Sequence, residues 1–175
     1  MKDRLANIAH HEAAHAVAAY HLHIKIKHVS IVPTADWLGI VRTSAARLAS
    51  RLGEFDDSVR GIDRAERHIV VFYAGAIASR KYSPGSHWRA TGSSDFDVAA
   101  MLFGHICGAD AKYQLLYSKL LWRRAELVVD LHWREVQYLA AALLNHKSLD
   151  ADQVRDEIGL SHGLKPFRLS STSQK

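Results

Sequence analysis

The chain has 175 residues, a net charge of +5, 48% hydrophobic and 23% charged residues, the size and balance of one soluble globular domain. No apolar run approaches the roughly 20 residues that span a bilayer, and charges and histidines interrupt the N-terminal region where a signal peptide keeps its apolar core, so a cytoplasmic protein without a membrane segment is expected. The single cysteine, Cys107, excludes an internal disulfide and a cysteine-rich zinc site, which leaves histidines and carboxylates to hold any metal.

In chain order, residues 2 to 22 read as a helix, rich in Ala and free of Gly and Pro. "KHVSIVP" (27–33) reads as a strand that ends at its Pro, and "WLGIVRT" (37–43) as a second strand after a turn over Thr34 to Asp36. Residues 44 to 60 are polar and carry no clear period. Residues 63 to 82 have helical periodicity, with Asp63 as N-cap and Glu66 completing a capping box. Residues 83 to 94 read as a loop rich in Ser and Gly, followed by a helix over 94–104 capped by Ser93 or Ser94. One long helix is expected from Asp110 to Asn145, with Leu115, Leu116, Leu120, Leu127, Leu131, Tyr138 and Leu139 as its buried stripe. A last short helix starts near Asp150, and from Ser161 the chain reads as a loose tail. The fold class is therefore mainly α with a small β-sheet (α+β), in a single domain over 1–160 with a flexible tail over 161–175.

The candidate chemistry lies in "HHEAAHAV" (10–17). On a helix His11 and His15 stand one turn apart on one face, so their imidazoles can converge on one ion at roughly 2.0–2.1 Å. Glu12 points beside that pair, where it can act as base toward a water on the metal. With 12 histidines in the chain, a chance His-x-x-x-His is a real alternative, and His10, His21 and His23 nearby read as solvated or core residues. The helical setting and the small Ala13 and Ala14 favour the metal reading. A catalytic site of this kind uses three protein ligands. Asp95, delivered by the loop "TGSS" at the start of a helix, is the leading third ligand; its other reading is a carboxylate favoured by the helix dipole. Glu66 and His105 are alternatives. Nitrogen-rich ligands with one carboxylate suit Zn2+.

Several segments together resemble the peptidase domain of the FtsH-type, membrane-anchored AAA+ zinc proteases: "HEAAHA" (11–16), "KHVSIVPTADWLGIV" (27–41), "VVFYAGAIASR" (70–80), "TGSSDFDVAA" (91–100) and "AELVVDLHWREVQYLAAALLNHKSLDADQV" (125–154). They occur in the family's order and cover about residues 5 to 158. The resemblance implies a zincin-like helical metallopeptidase fold, with His11, His15 and Asp95 as metal ligands and Glu12 as general base. The sequence departs from the family's pattern in three places. One residue is missing before Asp95, which keeps Asp97 as an alternative ligand. Ala14 replaces a Gly. Ser79 stands where the family carries Glu, so an orienting carboxylate is expected to be absent. No G-x-x-x-x-G-K-[ST] occurs, so a domain working without its own ATPase is expected, acting on peptides or unfolded segments unless a separate ATPase partner feeds it.

The strand around Leu38 to Arg42 is expected to be an exposed edge near the metal, to which an extended substrate adds, with Trp37 lining a pocket or covering the sheet. Trp122 and Trp133 read as core or interface residues, and the long helix leaves room for a homo-oligomer. The expected function is a zinc-dependent metalloendopeptidase; the alternative is a non-catalytic metal-binding module that holds peptides or a partner. Nucleic acid is disfavoured as a partner. Basic and acidic residues are interspersed, the local excess is confined to Lys165, Arg168 and Lys175, and no recognition helix stands out.

Overall fold

The computed structural model describes residues 2–33, 39–43, 56–85 and 93–164. Its elements are α1 (Lys2–His21), β1 (Ile26–Ser30), β2 (Ile40–Thr43), α2 (Val59–Tyr82), α3 (Ser93–Cys107), α4 (Ala111–Leu131), α5 (Trp133–His146), β3 (Ser148–Asp150) and α6 (Ala151–Ser161). The fold is mainly α with one small antiparallel sheet, as the sequence pattern implies. Among the described residues no helix is long and apolar enough to cross a membrane.

α1 is the centre of the molecule and packs chiefly against α2 and α5. From Asn7 to Ala19 every residue is buried, which a helix can sustain only if its neighbours come close on several sides. The sequence makes this feasible with small side chains. Ala9, Ala13, Ala14, Ala16, Ala18 and Ala19 of α1 are buried, and so are Ala65, Ala74, Gly75, Ala76 and Ala78 of α2, the helix packed most extensively against it. α2 runs antiparallel to α1: Val71 reaches His15, and Ser79 reaches Asn7 and His11.

β1 is the middle strand, in the order β2-β1-β3. His28, Val29 and Ser30 pair with Arg42, Val41 and Ile40 on one side and with Asp150, Leu149 and Ser148 on the other. Val29 and Leu149 are buried core residues beneath the sheet. Both strands read from the sequence are shorter than the apolar runs. The three-residue β3 lacks any apolar run of its own and exists through its pairing with β1. Residues 34–38, including Trp37, Leu38 and the turn, lie outside the described residues, as do 44–55 of the ambiguous stretch, 86–92 of the loop and the tail from 165.

Three helix assignments need correction. α2 begins at Val59, with Ser58 as N-cap accepting a bond from the Gly61 amide; Asp63 instead pairs with Arg67 at 2.7 Å. The long helix over 110–145 is two helices, because His132 leaves helical geometry (φ −110°, ψ 21°) between α4 and α5. Its proposed buried stripe is mostly exposed. Leu115, Leu116, Leu120, Leu127, Leu131 and Tyr138 face solvent, and Leu121, Ala125 and Val129 are the buried face of α4, with Leu139 buried on α5. α4 carries leucines on two faces, so periodicity could not tell which face meets α2. Trp122 and Trp133 are half-buried against the core.

Candidate metal centre

His11 and His15 stand one turn apart on the face of α1 that meets α2, and both are buried. Each ring is held at its Nδ1. His15 Nδ1 donates to the Val71 carbonyl at 2.7 Å, and His11 Nδ1 lies 3.2 Å from the Ser79 hydroxyl. A ring that donates from Nδ1 carries its lone pair on Nε2. The two Nε2 atoms face each other at 3.0 Å. Asp95, in the first turn of α3, completes a triangle: its Oδ2 is 3.1 Å from His11 Nε2 and 3.3 Å from His15 Nε2. Two lone pairs and a carboxylate oxygen directed at one point repel unless a cation or a proton lies among them. The sides of 3.0, 3.1 and 3.3 Å approach the roughly 3.3 Å between donors on a tetrahedral zinc with bonds of 2.0–2.1 Å. This buried His/His/Asp group can hold a metal ion.

The electrostatics agree with that reading. Burial lowers the His15 pKa, but the adjacent Asp95 carboxylate outweighs it and the pKa rises to about 9. Burial raises the Asp95 pKa, yet the charge of His15 and the bonds from both imidazoles hold it well below the usual carboxylate range. Glu12 is buried on the same helix, and burial raises its pKa, opposed by the two histidines and aided by Asp95. A carboxylate with a raised pKa is suited to taking up a proton.

Two glycines give the site its space. A Cβ on Gly75 would lie 2.5 Å from His15 Nε2 and 2.8 Å from His11 Cε1, and one on Gly39 would lie 2.6 Å from Glu12 Oε1. All three distances are shorter than real Cβ atoms essentially ever show, so glycine lets α2 back onto the imidazoles and lets the start of β2 approach Glu12. Val71, Gly75 and Ser79 recur at every fourth position, one stripe of α2 turned toward α1. The sequence reading passed over this stripe, although Gly75 amid small residues was a usable signal. At Ser79, where a carboxylate was expected to be absent, the hydroxyl faces His11 Nδ1.

The alternative ligands lie elsewhere. Glu66 is bonded to the Tyr117 hydroxyl and pairs with Arg124. Asp97 and His105 are exposed, and neither falls in the His11, His15, Asp95 group. Neighbouring histidines have other tasks: His10 is buried, bonds to the Ala6 carbonyl at 2.7 Å and stacks on Tyr82 at 3.9 Å, whereas His23 is exposed. No protein-family model matches this chain, and no curated protein matches it.

Proposed function

We propose that this protein is a zinc-dependent metallopeptidase that hydrolyses peptide bonds in peptides or unfolded segments without needing ATP itself, as the likeness to FtsH-type peptidase domains implies. The observation that carries the proposal is the pairing of functions on α1: a buried three-donor triangle, with a fourth position left for a reactant, and beside it a buried carboxylate of raised pKa that is not one of the three donors. A structural zinc site has no use for such a base. His11, His15 and Asp95 would hold the ion, which supplies Lewis acidity toward a scissile carbonyl. Glu12 takes a proton from the attacking water as the C–O bond forms, and delivers it to the amine nitrogen as the C–N bond breaks. The backbone of Gly39, at the entry to β2, lies against Glu12, and among the described residues β2 is paired on one side only. An extended peptide added to that edge passes beside the base, positioned by backbone hydrogen bonds with little demand on sequence.

The test uses zinc content and cleavage of unfolded casein together. Wild type is expected to hold zinc at the triangle and to cleave. Glu12→Gln is expected to keep that zinc and lose about 10²–10⁴-fold in rate, and Asp95→Ala to lose both. Cleavage surviving in Glu12→Gln, or zinc held at the triangle with no cleavage of any unfolded chain, would overturn the peptidase reading, the second result in favour of a binding module.

A further inference from the structure

A second group of possible ligands gathers at the opposite end of α1, and the proposed peptidase chemistry makes no use of it. Its hub is Glu135, in the first turn of α5, only 1% exposed. An ionised carboxylate taken out of water needs compensation by charge or hydrogen bonds worth several kcal/mol. Among the described residues its ion-pair partners are all histidines, with no Lys or Arg: His21 Nε2 at 2.6 Å from Oε2, and His132 Nδ1 at 2.8 Å and His162 Nε2 at 2.9 Å from Oε1. Burial raises the Glu135 pKa, but the bonds from His21 and His132 outweigh it, so the carboxylate is held ionised. The chosen nitrogens of His21 and His132 and a Glu135 oxygen all lie within 4.8 Å of one another.

We propose that His21, His132 and Glu135 form a second, structural metal site for a zinc-class divalent cation, and that His162, which stands outside that group but touches Glu135, moves in as fourth ligand. Three imidazoles and one carboxylate would fill all four positions of a tetrahedral zinc, with no position left for a reactant. The His21 and His132 rings stack at 3.5 Å and 16°, so both present a ring nitrogen on the edge facing the carboxylate. Binding one ion tilts the rings apart. His132 can yield because it sits at the break between α4 and α5, and His162 can yield because its side chain is 56% exposed. Placement explains what such a site would do. His21 ends α1, His132 joins α4 to α5, Glu135 opens α5, and His162 caps α6. One ion would fasten three chain segments, the end of α1, the α4–α5 junction and the end of α6, in a protein whose lone cysteine permits no internal disulfide. The tie would act by binding the folded state only.

The first centre and this one share only α1, so each can be removed alone. Tag-free protein would be stripped of metal, titrated with zinc by calorimetry, and its bound zinc counted. Wild type is expected to take two equivalents, His11→Ala/His15→Ala one, and His21→Gln/His132→Gln one. In the His11→Ala/His15→Ala variant, zinc at about 100-fold over its Kd should raise the thermal midpoint by several degrees. That variant leaves the second cluster untouched, so the proposal stays testable even if the His21→Gln/His132→Gln chain fails to fold. Wild type taking one equivalent, lost entirely in His11→Ala/His15→Ala, would overturn the second site and leave the first standing. One equivalent kept in His11→Ala/His15→Ala and lost in His21→Gln/His132→Gln would support the second site and sink the first.

Discussion

Gly75→Ala is the most searching perturbation of the first centre, because helix propensity and site geometry give it opposite signs. In an ordinary helix interior the change stabilises by up to about 1 kcal/mol. Here the added Cβ would stand 2.5 Å from His15 Nε2, while ordinary contact begins at 3.4 Å, so the ring must retreat by the difference, about 0.9 Å. Overpacking of that kind costs about 1–3 kcal/mol, which leaves the variant between neutral and about 2 kcal/mol less stable. The metal should feel it far more, since ligand distances tolerate only about 0.2 Å. Zinc affinity is expected to fall by more than about 100-fold, beyond the roughly 10–100-fold lost with a supporting hydrogen bond. Gly104→Ala is the control. It lies on α3 with nothing within 4 Å of the added carbon, so it should gain stability up to about 1 kcal/mol and bind zinc as wild type does. The assay is competition for zinc against a chromophoric chelator, alongside urea unfolding of the metal-free proteins. If Gly75→Ala matches Gly104→Ala in both readings, α2 does not crowd the imidazoles and the close-packing argument fails.

Other substitutions separate metal binding from catalysis. Ser79→Ala removes the group facing His11 Nδ1 and should weaken zinc binding about 10–100-fold; unchanged affinity in the same chelator competition would show that the hydroxyl does not hold the ring. Gly39→Ala drives a Cβ onto the Glu12 carboxyl, so casein cleavage should drop while zinc affinity stays at the wild-type level, and a parallel fall in both would refute that division of labour. The pH dependence of zinc binding has a definite sign. His15, with its pKa raised to about 9, holds a proton that zinc must displace, so apparent affinity should climb about tenfold per pH unit and level off near pH 9. Calorimetry across that range would show the proton release, and levelling already near 6.5, the ordinary value for histidine, would mean that Asp95 does not raise the His15 pKa.

The motif His11-Glu12-Ala13-Ala14-His15 and its helix were legible in the sequence because both are local: a spacing of four residues fixes one face whatever packs against it. The mainly α class and the first two strands were legible for the same reason, from composition and short apolar runs. Asp95 was legible as a candidate but not as a neighbour, since 80 residues separate it from His15 and only the packing of α3 against α2 brings it to the triangle. The fate of Glu66 was hidden for the matching reason: its partners Tyr117 and Arg124 lie on α4, and no spacing rule reports them. Leucines on two faces of α4 left the buried side undecided until α2 took one of them. His21, the His132–Glu135 pair and His162 come from three segments far apart in sequence, so nothing along the chain announces their meeting. What the sequence determined by itself is the content of one stretch of helix, the two imidazoles and the carboxyl group beside them. The tertiary structure decided which carboxylate completes the triangle, which groups of α2 face the rings, and that three histidines meet around one buried glutamate, because those contacts arise chiefly from how the helices pack and not from residue spacing.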